Sequence, residues 1–120
     1  MFDDYDMDMV FQALGNASRR RMLDIVKGEP GIGVGALASE FDVSRIAVMK
    51  HLAVLEEANL IVSEKDGRTR RLYFNAAPIQ MIHDRWTTEY SAYWAGQVTR
   101  IKYLAEARHH DEATGGKQRK

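Results

Sequence analysis

A chain of 120 residues without cysteine excludes disulfides, thiolate metal sites and cysteine nucleophiles together, and leaves room for one modest core. Its 17 basic and 17 acidic side chains cancel, so overall charge does not mark a nucleic-acid binder, and no apolar run approaches the ~18 residues of a membrane span. The charge is nevertheless unevenly placed: Asp3, Asp4, Asp6 and Asp8 crowd the start, whereas Arg19 to Arg21 and Lys65 to Arg71 are basic.

Residues 1–8 read as an acidic, flexible lead without the basic-then-apolar order of a signal peptide, so the protein is expected in the cytoplasm. Met9 to Leu14 form a short helix stopped at Gly15. Asn16 suits the N-cap of a second helix to about Lys27, with Met22, Leu23, Ile25 and Val26 inward and Gly28 at its end. After a loop, Val34 to Phe41 make a third helix carrying Leu37, Ala38 and Phe41 inward. Ser44 caps a fourth helix that runs to about Ala58 and turns Val48, Leu52 and Leu55 to the core. Asn59 tolerates the left-handed conformation that ends such a helix. A two-stranded ribbon follows over 61–74, with Asp66-Gly67 as its hairpin signal. Pro78 opens a last helix from Ile79 to about Arg108, where Ile79, Ile82, Trp86, Tyr90, Tyr93, Trp94, Val98, Ile101 and Leu104 keep three/four spacing. Its ~29 residues would span roughly 43 Å. The reading is mainly α with a small β-ribbon: five helices and a two-stranded antiparallel wing in one domain, 9–108, followed by a disordered polar tail, 109–120.

Helix, turn (Phe41-Asp42-Val43-Ser44), second helix and basic hairpin suit the major groove and flanking phosphates of double-stranded DNA. On the fourth helix Arg45, Ile46, Met49, Lys50 and Ala53 lie opposite the core stripe. Arg45 and Lys50 are donors for guanine or phosphate, Ile46 and Met49 are partners for thymine methyls, and Ser44 is a phosphate donor as well as a cap. The bland alternative is a solvated helix face. His51, at the core edge, reads as a packed, hydrogen-bonded histidine, with a base reader as the alternative. In the wing, Lys65, Arg68, Thr69, Arg70 and Arg71 face backbone or minor groove. Alternation along the strand puts Arg68 and Arg70 on one side and Thr69 and Arg71 on the other, so not all can touch DNA. Arginines at a helix start, as at Arg19 to Arg21, oppose the helix dipole and need another reason, either phosphate or a partner such as Asp24 or Glu40.

Four stretches together resemble the ArsR (arsenic repressor-like) family of winged helix-turn-helix transcriptional regulators. Leu14 to Leu23 is similar to its second-helix opening, Val34-Gly35-Ala36-Leu37-Ala38 to its Val-Gly-Glu-Leu-Ala, Ser44 to Leu52 to Ser-Arg-Pro-Ala-Val-Ser-x-His-Leu, and Gly67 to Tyr73 to its wing. The resemblance covers Phe11 to Leu104. Ile46 stands for the usual Pro, Met49 for Ser and Asn59 for Gly. What this implies is a sequence-specific regulator, expected to be a homodimeric repressor on a palindromic operator, and not an enzyme. The dimer is expected to bury Phe11, Leu14, Trp86, Tyr90, Tyr93, Trp94, Val98 and Ile101.

The family's metal sites need cysteines, or an Asp-x-His with a later His-x-x-Glu or His on the last helix. Here His83-Asp84 has the wrong order, and His109, His110 and Glu112 form at most half a site. No metal or cofactor is expected. Two alternatives stand beside the DNA-binding reading: a repressor answering to a metal or an unknown small-molecule inducer, and a winged-helix module that binds protein rather than DNA.

Overall fold

The computed structural model describes residues 1–87 and 92–115, with backbone alone for 92–95 and 110–115. In chain order the elements are α1 (Asp4–Leu14), α2 (Ala17–Gly28), β1 (Ile32–Gly33), α3 (Val34–Ala38), α4 (Arg45–Glu57), β2 (Ile61–Asp66), β3 (Thr69–Phe74), α5 (Ala77–Thr87) and α6 (Ala92–Gly115). They fall into two compact units, Met1–His83 and Asp84–Lys120. The mainly helical winged class stands. It differs from the expected five helices and two strands by a third strand, and by a last helix described as two segments flanking residues 88–91.

α1 begins at Asp4 rather than Met9, so much of the acidic lead read as flexible is helical. A reciprocal cap explains it. The Asp3 carboxylate accepts the Asp6 N–H at 2.9 Å, and the Asp3 N–H donates to the Asp6 carboxylate at 2.9 Å. Asp4 and Asp6 also place negative charge at the positive end of the helix. The Asp6 backbone N–H is the main reason the Asp3 carboxyl sits below its ordinary value. Asn16 caps α2 as expected, accepting the Arg19 N–H at 3.1 Å. α3 stops at Ala38, short of Phe41, where the Ser39 hydroxyl donates back to the Ala36 carbonyl at 2.7 Å and the chain turns.

The end of α4 follows from Asn59, the non-glycine residue with positive φ (62°) among those described. Its N–H reaches the Glu56 carbonyl at 2.9 Å while the Leu60 N–H reaches Leu55 at 3.0 Å, the paired bonds of a Schellman ending. Leu60 thereby folds under Leu55, and both are fully buried.

The sheet runs β1-β3-β2, antiparallel throughout, with Ile32 opposite Leu72 and Ile61 opposite Phe74. β1 is too short to announce itself and exists because β3 pairs with it. It is set up by Gly31, at φ 88°, whose N–H donates to the Leu72 carbonyl at 2.8 Å. In the wing Asp66 pairs with Thr69, so the loop is Gly67-Arg68 rather than Asp66-Gly67. Gly67 at φ 64° takes the first loop position, as a type II′ turn requires.

The core joins Val10, Ala13, Met22, Val26, Leu37, Val48, Leu52, Leu55, Leu60, Ile61 and Leu72, with no polar or charged side chain among the buried residues described. Val48, Leu52 and Leu55 alone hold α4 in place with about 1.5–3 kcal/mol each. α6 continues to Gly115, beyond the expected Arg108 and into the segment read as a disordered tail. No helix among the described residues is long and apolar enough to cross a membrane.

Candidate nucleic-acid interface

α4 is fixed at its N-terminus by Ser44, whose hydroxyl oxygen accepts the Ala47 N–H at 3.1 Å. That bond uses the oxygen as acceptor and leaves the hydroxyl hydrogen to donate outward. With Val48, Leu52 and Leu55 facing inward, the opposite face carries Arg45, Ile46, Lys50 and Ala53 exposed and Met49 half-buried. These five residues line one open depression. Its middle is apolar and its edges are cationic, a surface able to meet both base methyl groups and acceptor atoms.

The second depression surrounds the wing turn and brings together Ser63, Lys65, Gly67, Arg68, Thr69 and Arg70. Here the structure separates the cations. Arg70 shares its face of the ribbon with Leu72 and Phe74, the side turned to the core, where it forms an ion pair with Glu56 of α4 and donates to the Ser63 hydroxyl at 3.2 Å. Arg71, on the other face, pairs with Asp66 at 3.2 Å and donates to the Gly31 carbonyl at 3.3 Å. Both arginines, expected among the DNA-facing residues, are therefore engaged within the chain. Lys65 and Arg68 are exposed, and Thr69 is half-buried beside them. Glu56 and Ser63 were not foreseen as partners. The signal was present in the period of two, which puts Arg70 with buried Leu72.

The arginines of α2 also find their reason inside the fold. Arg19 donates to the Ala13 carbonyl at 2.8 Å and the Gln12 carbonyl at 2.9 Å, and meets His51 Nδ1 at 3.2 Å. Arg20 donates to the Leu14 carbonyl at 2.7 Å. The last turn of α1 has no basic residue of its own, so the start of α2 supplies the cations that its carbonyl end favours. Arg21 lies 4.5 Å from the centre of the Phe41 ring. Neither Asp24 nor Glu40 is needed, and His51 is the packed, hydrogen-bonded histidine expected.

Among the residues assigned to a dimer, Phe11 is 50% exposed, Trp86 65%, Val98 46% and Ile101 63%, while Leu14 is half-buried. Tyr90 and the side chains of Tyr93 and Trp94 lie outside the described residues. Among those described, no three His, Asp or Glu side chains cluster as metal ligands.

The comparisons agree with this geometry. A family model described as a helix-turn-helix domain matches residues 14–64. The HTH-type transcriptional regulator YuzN of Bacillus subtilis is 35% identical over 85 residues, 66% of this chain and 92% of that protein. The transcriptional repressor SdpR of the same organism is 30% identical over 74 residues, covering 62% of this chain and 81% of SdpR. The solved structure of an ArsR-like transcriptional regulator from Rhodococcus sp. RHA1 is 29% identical, with a TM-score of 0.61 over 84% of this chain and 93% of that one.

Proposed function

Because the chain belongs to the ArsR family of winged helix-turn-helix transcriptional regulators, we propose that it is a homodimeric repressor that occludes a promoter by binding a palindromic operator. α4 enters the major groove, with Arg45 and Lys50 donating to base edges or phosphate and Ser44 donating to phosphate. Lys65, Arg68 and Thr69 hold the flanking backbone. Arg70 and Arg71 act one step back: the ion pair to Glu56 and the bonds to Asp66 and Gly31 set the angle of the wing to α4.

The observation that carries this reading is the exposed, cation-edged face of α4, turned outward by the burial of the face behind it. Selection of binding sites from random duplexes, followed by titration at several salt concentrations, tests it. The expected result is a two-fold symmetric site bound more weakly as salt rises, because phosphate contacts release counterions. Arg45→Ala should cost about 1–3 kcal/mol and relax base preference at one position. Equal binding of a selected site by Arg45→Ala and wild type would sink the groove assignment. A salt-insensitive complex with protein, and no retention on DNA, would favour an interaction module.

A further inference from the structure

The centre of the α4 face is apolar where a polar reading surface would be the simpler expectation. Ile46 is 70% exposed, and Met49 and Ala53 continue the strip along the helix. Arg45, Met49 and Ala53 follow the i, i+4 row, and Ile46 and Lys50 form the row beside it. An apolar strip thus lies in front of the core with a cation on each edge. From Ile46 to Ala53 the helix rises roughly 10 Å, the length of about three stacked base pairs.

We propose that this strip reads pyrimidine C5-methyl groups, so that the centre of each half-site is a run of two or three adjacent A·T pairs whose thymine methyls pack on Ile46, Met49 and Ala53. The proposal rests on α4 entering the major groove. It commits to DNA as the occupant because Arg45 and Lys50 frame the strip with positive charge, which suits a polyanion and not a second apolar helix. In the major groove the methyl is the one apolar mark on a base edge, and among natural pairs it distinguishes T from C by shape alone. 5-Methylcytosine carries the same group at the same carbon. The strip therefore accepts it as a thymine substitute wherever the contact is to the methyl and not to the base's polar edge.

Deoxyuridine removes the methyl and leaves every hydrogen-bonding atom in place. A selected site is resynthesised with thymines replaced singly by deoxyuridine, and binding is measured for wild type and for Ile46→Ser/Met49→Ser. Wild type should lose roughly fourfold in affinity at each of two or three neighbouring positions per half-site. The double variant should lose the deoxyuridine penalty at the positions packed on Ile46 and Met49 and keep one only opposite Ala53, with its salt dependence unchanged. Specific binding of the selected site by wild type with no loss at any deoxyuridine would overturn the methyl reading and leave the groove assignment intact. Penalties in the double variant equal to those of wild type at every position would also overturn it, since the loss would then come from the stiffness of the duplex and not from this strip. Failure of the selection to return any preferred site would remove both the inference and the reading beneath it.

Discussion

Arg19 and Arg68 carry the same charge in different surroundings. Arg19 serves two carbonyls of α1 and the His51 ring, joining three helices through one guanidinium. The bond to Ala13 is partly buried, whereas that to Gln12 is exposed and its carbonyl also accepts the Gly15 N–H at 3.2 Å. A hydrogen bond from a charged donor contributes about 1.5–3 kcal/mol where it is shielded from water. Arg19→Ala should therefore lower stability by about 1–3 kcal/mol in urea denaturation. Lys at this position would not restore it, because a point charge cannot span the forked set of acceptors. Arg68 sits exposed in the wing turn. Arg68→Ala should leave the urea midpoint where it is and reduce the slope of binding against salt by about one counterion. If Arg19→Ala changed the salt slope while Arg68→Ala changed stability, the division drawn between structural and phosphate-facing arginines would be wrong.

At the scale of elements, what was legible in sequence was what is encoded locally. Asn16, Ser44 and Asn59 mark helix ends by their own side-chain chemistry, and Val48, Leu52 and Leu55 mark a buried face by spacing; all hold in the fold. What was not legible depends on a partner distant in sequence. β1 is strand only because Leu72 lies opposite Ile32, and the ion pair that occupies Arg70, already on the side of Leu72 by alternation, needs Glu56 of α4. The family resemblance pointed to α4 and the wing together but did not divide the wing cations, since that division is completed by ion pairs. The acidic lead was misread for a different reason: aspartates were taken as charge, when Asp3 and Asp6 are a cap. That cap has a pH signature. The folded Asp3 carboxyl lies below its ordinary value, held there chiefly by the Asp6 N–H. A lowered folded value means that the contribution is present above the ordinary carboxylate range and is lost as pH falls through the lowered value. Below that range the Asp6 amide should lose protection from hydrogen exchange while amides in α4 keep theirs. Equal protection of the Asp6 amide on both sides of that window would show that the cap does not hold α1.

At the scale of the molecule, the second unit carries large apolar side chains that are exposed among the described residues. Val98, Ile101 and Leu104 are 46%, 63% and 59% exposed at three-residue steps on α6, and Trp86 on α5 is 65% exposed. In the first unit Phe11 is 50% exposed. Monomeric proteins rarely leave several large apolar side chains in water together. Burying the second unit's four from about half exposure on both copies, at about 1.5–3 kcal/mol for a fully exposed side chain, contributes on the order of 6–12 kcal/mol. That is comparable to the roughly 4–15 kcal/mol lost when two bodies become one. A twofold assembly would also give each half of a palindrome its own α4, doubling the phosphate contacts without any change in the reading surface. Sedimentation equilibrium at micromolar concentration should show a dimer. Ile101→Asp, which sets an unpaired charge in the proposed interface, should shift it to monomer. The same substitution should weaken binding to the full palindrome far more than to an isolated half-site, because the loss is of linkage and not of contact. A monomeric wild type, or an Ile101→Asp variant that dimerises normally, would mean that this apolar surface faces something other than a second copy of the chain.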